Sequence, residues 1–170
     1  EKVFNKKLDK YTIDNLSKEK DLEYLNIMEI EKESLSLASG VEILLNNLID
    51  NNIKIAIATS APPSLMLEYE KFFELSRFFK EDYIISSDGS FPSKPDPAIY
   101  NKAIKTLNVN PKDCVVFEDT KSGIISAARA NVGKIIAVNS IGSDIETTSK
   151  LKETSSHINS FNEIEFKDLF

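Results

Sequence analysis

From residue 40 onward the chain alternates helix with strand, and no other feature constrains its fold as much. Residues 41–48 carry apolar side chains at helical spacing and run into Asp50-Asn51-Asn52, residues that tolerate turn geometry. Residues 53–58 (Ile-Lys-Ile-Ala-Ile-Ala) then read as a mostly apolar strand, the kind found in parallel sheets covered on both faces. Pro62 and Pro63 suit the first turn of a helix over 64–75, where a missing N–H costs nothing. The pattern continues with a strand at 83–86, a turn at Asp88-Gly89-Ser90 and a helix at 95–107. A strand at 114–117, a helix at 122–130 and a strand at 134–138 follow. The tail predicts a weak helix at 145–152, a short strand near His157-Ile158 and a closing helix at 162–169. Strands spaced by helices in this way build βαβ units, so the expected fold is α/β: a doubly wound parallel sheet of Rossmann type.

Before residue 39 the rhythm differs. Leu16, Leu22, Leu25, Ile30 and Leu35 recur at helical spacing among charges, with Tyr11, Tyr24 and Met28 beside them. Two or three short helices are expected there, forming an appendage that cannot bury its apolar face alone. The chain's 170 residues accommodate one ordinary domain with such an appendage. A formal charge of −6 argues against broad binding to nucleic acid or to an anionic membrane. No apolar run approaches the roughly 20 residues a membrane span needs. Cys114 is the single cysteine, which excludes intramolecular disulfides and cysteine-based zinc sites and suits a reducing cytosol. A cytoplasmic monomer is the expectation.

Ligands of doubly wound sheets bind at the carboxyl ends of the strands, so those ends direct the search. Strand 53–58 ends in Thr59-Ser60, where hydroxyls beside helix N–H groups can hold phosphate oxygens or can simply cap the next helix. After strand 83–86, Ser93-Lys94-Pro95-Asp96-Pro97 places one lysine between stiffening prolines, as an aimed ammonium or as an ordinary turn residue. Strand 114–117 ends in Glu118-Asp119. Adjacent carboxylates after an apolar strand are costly unless a cation joins them, and Mg²⁺ is well suited because it takes one or two carboxylates plus phosphate oxygens and water. Capping of the following helix by Asp119 is the plainer alternative. Together, a hydroxyl, a cation and a carboxylate pair at one sheet rim suit the handling of a phosphate monoester on Mg²⁺.

The order Ile57-Ala58-Thr59-Ser60, Ser93-Lys94-Pro95-Asp96-Pro97, Val116-Phe117-Glu118-Asp119-Thr120-Lys121-Ser122-Gly123 resembles the haloacid dehalogenase superfamily, most closely its β-phosphoglucomutase-like phosphatases. The resemblance covers residues 39 to about 140 and extends loosely through the tail. It implies that Thr59 and the Ser60 N–H bind the phosphoryl group, that Lys94 neutralises nucleophile and phosphate, and that Glu118 and Asp119 hold Mg²⁺. Thr59 and Lys94 are thus the expected catalytic residues of this chain. Ser39-Gly40-Val41 matches the return from a helical cap to the core, so residues 1–38 are expected to be a partial cap and 39–170 a core lacking its first strand. One departure is serious. The family's nucleophile and general acid/base are aspartates spaced Asp-x-Asp on that first strand, and no two of the aspartates here are two apart. The expected function is Mg²⁺-dependent hydrolysis of a small phosphorylated metabolite through an aspartyl-phosphate whose aspartate lies outside this chain. The chain alone is expected to be inactive, either as a piece of a longer protein or as a degenerate relative.

Other classes fit less well. The glycines at 40, 89, 123, 133 and 142 make no dinucleotide fingerprint, and Gly133-Lys134-Ile135 is not a P-loop. Gly-x-Ser-x-Gly is absent, and His157, the single histidine, reads as a strand-end surface residue. A phosphomutase of the β-phosphoglucomutase type, or a non-catalytic or receiver-like phosphate and Mg²⁺ binder, remain alternatives. In receiver domains, however, the acceptor aspartate precedes hydroxyl and lysine, whereas here the acidic pair comes last. Phe72, Phe73, Phe78 and Phe79 have spacings that place several on one helical face, as core or cap contacts.

Overall fold

The computed structural model describes residues 8–140 and 142–169. Its first element, α1 (Lys10–Ile30), is capped by Asp9, which accepts the Thr12 N–H at 2.8 Å. It is one continuous helix, which corrects the expectation of two or three short ones. No glycine or proline precedes residue 40, so nothing interrupts the backbone ladder. Residues 1–7 of the expected appendage lie outside the described residues.

The remaining elements are α2 (Val41–Asp50), β1 (Ile57–Ala58), α3 (Pro63–Phe73), β2 (Ile84–Ile85), α4 (Ala98–Leu107), β3 (Val115–Glu118), α5 (Lys121–Arg129), β4 (Lys134–Val138), α6 (Ile145–Ser149) and β5 (Ser156–Ile158). Every ladder is parallel: β1 with β2, and β3–β4–β5 in that order. Among the described residues no ladder joins β1 to β3.

The central strand β4 shows why this is a doubly wound core. Ile135 and Ala137 face α4 and α5, packing with Ile99, Ala103, Ile124 and Ala127. Ile136, between them, faces the other way against Leu44 and Leu48 of α2 and Leu169 of the tail. That period-2 alternation, with helices receiving both sides, is what a Rossmann-like sheet requires.

Three expectations need correction. The strand expected over 53–58 pairs only at 57–58; Ile53 and Ile55 pack on the α2 face of the core without a ladder. The closing helix expected at 162–169 is instead two single 3₁₀ turns, Phe161–Glu163 and Phe166–Asp168. Phe161, Ile164, Phe166 and Leu169 all turn to the core, and their spacing of three, two and three does not fit one face of a helix. Finally, α3 stops at Phe73 because Glu74 takes a left-handed conformation, so Phe78 and Phe79 do not share its face. Phe73 does contact α1 indirectly: its ring meets Tyr69, whose own ring meets the edge of Tyr24 at 6.3 Å.

The junction between α1 and the core is tied to the chain's tail. Ser39 carbonyl accepts the Phe161 N–H at 3.0 Å, and Ser39 Oγ accepts from Asn162 Nδ2 at 2.9 Å. Gly40 follows with φ at +83°, a conformation that favours glycine. A Cβ there would also meet the Asn162 N and Oδ1 at 2.5 Å.

Candidate active site

The carboxyl ends of β1, β3 and β4 open on one cavity of about 490 Å³, lined by Thr59, Ser60, Lys94, Glu118, Asp119 and Ser140, with Phe117, Val138 and Phe161 on an apolar side. The structure therefore brings all five sequence-predicted site residues together.

Thr59 ends β1, and its Oγ1 accepts the Ala61 N–H at 3.1 Å. That bond leaves the hydroxyl proton to donate elsewhere. Helix α3 is not capped by either hydroxyl; its N-cap is Pro62.

Lys94 is held by its loop. Buried Ser126 of α5 donates to the Asp96 carbonyl at 2.6 Å, and Arg129 donates to the Pro95 carbonyl at 2.9 Å. The ammonium donates to Glu118 Oε2 at 2.7 Å, to the Ala58 carbonyl at 3.2 Å and to the Tyr100 hydroxyl at 3.3 Å. It also lies 4.9 Å from the centre of the Tyr100 ring, a favourable cation–π placement. One side chain thus ties the end of β1 to the end of β3, across which no ladder runs among the described residues.

Glu118 is the most constrained group. It ends β3, is 8% exposed, and each of its oxygens accepts two hydrogen bonds. Oε2 takes Lys94 and the Tyr100 hydroxyl (2.6 Å), and Oε1 takes the Thr120 N–H (3.1 Å) and hydroxyl (2.7 Å). Burial pushes its carboxyl up, but the Lys94 charge and the bonds from Lys94, Tyr100 and Thr120 outweigh burial and hold it below its ordinary range. Tyr100 moves the opposite way, far above the usual phenol value, because of burial and the facing carboxylate. Helix α5 can begin this close only because residue 123 is glycine; a Cβ there would collide with the Glu118 carboxyl.

Asp119 is different. Its Oδ2 accepts the Ser140 hydroxyl at 2.6 Å, and no hydrogen bond from the described residues reaches Oδ1. It does not cap α5: Thr120 does, accepting the Gly123 N–H at 3.1 Å. The donor set at this rim is hard oxygen throughout, which fits Mg²⁺. Among the described residues no group of three or more His, Cys, Asp or Glu forms a self-sufficient metal cage. The two carboxylates therefore suit an ion that completes its shell with ligand oxygens and water.

Sequence reasoning missed Tyr100, Ser140 and the capping role of Thr120. Tyr100 lies on a helix whose apolar spacing marks it as core, and nothing local reveals that its hydroxyl reaches Glu118. A polar Asn139-Ser140 directly after an apolar strand was a visible signal for Ser140. His157 is exposed, as expected, and lies within β5.

Residues 2–138 match the model of the family described as haloacid dehalogenase-like hydrolase. The chain belongs to that family. A haloacid dehalogenase hydrolase of family IA, variant 3, from Entamoeba histolytica shares the fold with a TM-score of 0.87 at 32% identity, covering 98% of this chain and 73% of that one. A β-phosphoglucomutase-like protein of Thermotoga maritima gives a TM-score of 0.66 at 31% identity, covering 76% of this chain and 59% of that one. Among curated relatives, a phosphorylated carbohydrates phosphatase of Thermotoga maritima is 38% identical over 106 residues, 62% of this chain and 48% of that protein. The chain thus spans about half the length of that curated relative. Among the described residues no helix is long and apolar enough to cross a membrane.

Proposed function

We propose that this chain carries the phosphate- and metal-handling part of a phosphohydrolase acting on a small phosphorylated metabolite. The observation that carries the reading is the convergence of Thr59, Lys94, Glu118 and Asp119 on one cavity at the strand ends of a haloacid dehalogenase-like core. The phosphatase of phosphorylated carbohydrates among its relatives supports the substrate class.

In this reading Thr59 donates its hydroxyl proton to a phosphoryl oxygen, with the Ser60 N–H beside it. The Lys94 ammonium, kept in place by Glu118 and Tyr100, exchanges one of its present acceptors for the oxygens of the transferring group. Asp119 and Glu118 are the residues that would hold Mg²⁺, Asp119 through its open oxygen and Glu118 by releasing one of four donors. Mg²⁺ there would neutralise charge that develops as the phosphoryl group transfers. The nucleophilic aspartate comes from outside residues 1–170: its carboxylate oxygen bonds to phosphorus as the bond to the substrate oxygen breaks, and water later frees inorganic phosphate. Among the described residues no ladder joins β1 to β3, which supports a strand between them as its carrier, and in this reading α1 and the stretch up to residue 38 belong to a partial cap.

The test is phosphate release from a panel of sugar and polyol phosphates. The protein extended to carry the missing strand should turn over in Mg²⁺ and stop in EDTA, and residues 1–170 alone should not turn over. Robust turnover by residues 1–170 refutes the external nucleophile. Unchanged turnover after Asp119→Asn in the extended protein removes Asp119 from the metal site. The similarity to a β-phosphoglucomutase-like protein favours a second reading, in which the phosphoryl group passes to another hydroxyl. An isomeric sugar phosphate in place of inorganic phosphate distinguishes it.

A further inference from the structure

We propose that Ser140 is a positioning residue for Asp119: it fixes one carboxylate oxygen so that the other faces the cavity as a ligand for a hard divalent cation. This rests on the metal reading above and adds to it a residue from a third strand.

The two carboxylates at the end of β3 have opposite surroundings. Glu118 is paired with Lys94 and saturated by four donors. Asp119 belongs to no ion pair among the described residues, and the Ser140 hydroxyl is the one donor they bring to it. At 2.6 Å that bond is in the range of a charge-assisted O–H···O⁻ contact. A single strong donor on Oδ2 stops rotation of the carboxylate plane and leaves the lone pairs of Oδ1 directed elsewhere.

Ser140 is itself fixed from behind. Its N–H donates to Ser143 Oγ at 2.9 Å, and the Ser143 hydroxyl donates to Asn139 Oδ1 at 3.4 Å. Asn139 in turn donates from Nδ2 to Asn159 Oδ1 at 3.0 Å and from its N–H to the Ile158 carbonyl at 2.9 Å. An uncharged polar chain therefore runs from the end of β5 through the turn after β4 to Asp119. A half-buried serine at a loop has water as an alternative partner, so the hydroxyl's own needs do not force this geometry. Groups that orient a metal ligand from behind in this way affect affinity without touching the ion.

The experiment titrates the 170-residue chain with Mn²⁺, followed by its electron spin resonance signal and by water-proton relaxation. Mg²⁺ is the competitor, and thermal melts by circular dichroism run alongside. Native chain should bind Mn²⁺ displaceably, and Asp119→Asn should abolish binding. Ser140→Ala should weaken binding about 10-fold, the lower end for loss of such a partner, with an unchanged melt. Ser140→Thr, which keeps the hydroxyl, should restore binding. If Ser140→Ala binds Mn²⁺ like the native chain while Asp119→Asn does not, Ser140 is not a positioning residue and the metal reading survives. If Asp119→Asn binds normally, or the native chain fails to bind, the metal reading falls and takes this inference with it. If Ser140→Ala and Ser140→Thr both lower the melt and the affinity together, the role of Ser140 is structural only.

Discussion

Replacing Lys94 by methionine tests whether the site is a buried, mutually dependent charge network. The two side chains are 11% and 7% exposed, with nitrogen and oxygen 2.7 Å apart. Removing the ammonium leaves the Glu118 carboxylate without a counter-charge, and only Tyr100 and Thr120 still donate to it. Breaking a buried pair from one side costs about 3–5 kcal/mol, because the remaining charge stays out of water. For a domain of this size that corresponds to a fall of roughly 6–20 °C in melting temperature. Glu118→Gln keeps one acceptor oxygen for the Thr120 N–H and hydroxyl, turns its NH₂ toward the Tyr100 hydroxyl, which can accept, and leaves Lys94 with the Ala58 carbonyl, so it should cost less. The double variant should recover part of the Lys94→Met loss, giving a coupling of about 2 kcal/mol or more in a double-mutant cycle. Urea unfolding near pH 7, followed by far-ultraviolet circular dichroism, measures all four proteins. The Lys94→Met deficit should also shrink in acid: burial then opposes the charge with no ammonium to offset it, so the Glu118 pKa rises from its native position and protonation removes the unpaired charge. A cost below about 1 kcal/mol, the size of an exposed pair, with no coupling, would refute the buried network.

In the native chain the sign is reversed. Glu118 titrates below its ordinary value of 4.5, so the stability it contributes is complete above about that pH and is lost as pH falls below it; melts across this range should fall more steeply for the native chain than for Glu118→Gln. Gly123→Ala should cost about 1–3 kcal/mol, since its methyl meets the Glu118 carboxyl, and should weaken Mn²⁺ binding in the same titration; normal binding would show the contact to be soft. Asn162→Ala removes the side-chain bond to Ser39 Oγ and should increase proteolysis in the stretch before Gly40 while leaving the global melt within a few degrees; cutting at the native rate would show that the tail does not hold that junction. Binding of inorganic phosphate to the chain, followed by phosphorus NMR, should require Mg²⁺, and equal binding in EDTA would contradict the charge balance of the cavity.

The parts of the fold legible in the sequence are those whose local pattern and tertiary role agree. β4 is read correctly to the residue because Ile135, Ile136 and Ala137 are buried on alternate faces, so a strand there satisfies both neighbours. The start of α3 follows from Pro62 and Pro63, and the end of α2 from Asn51 and Asn52. Where local and tertiary demands part, the reading failed. Ile53 and Ile55 have strand character, but a ladder needs a second chain, and the described residues place none beside them. Gaps between the apolar residues of α1 look like breaks, yet a helix breaks at glycine or proline, and the absence of both before residue 40 was the better signal.

The site divides in the same way. Which residues follow a strand directly, or stand between two prolines in a loop, is a local property, and Thr59, Glu118 and Asp119 on the first ground and Lys94 on the second were visible in the sequence. Which partner each one takes is not local: Glu118 receives hydrogen bonds from residues 94, 100 and 120, and Asp119 from residue 140. Those partners make the two carboxylates unequal, and the proposed reading turns on that inequality. Lys94 is the one cation among the described residues lining the cavity, and its charge is spent on Glu118. At the cavity rim Asp119 has no cationic partner among the described residues, in a chain whose formal charge is −6. A phosphate monoester brings up to two further negative charges to that rim, and its oxygens alone cannot offset the repulsion by hydrogen bonding to Thr59 and the Ser60 N–H. Binding it requires either loss of a proton-free carboxylate or gain of a divalent cation. Protonation is disfavoured for Glu118, whose carboxyl is held below its ordinary range by Lys94, Tyr100 and Thr120, and this favours the cation. In the reading proposed above the acidic pair therefore supports phosphate binding as a cation site, with Asp119 meeting the ion through its open oxygen and Glu118 aiming the lysine while releasing one of its four donors to the ion.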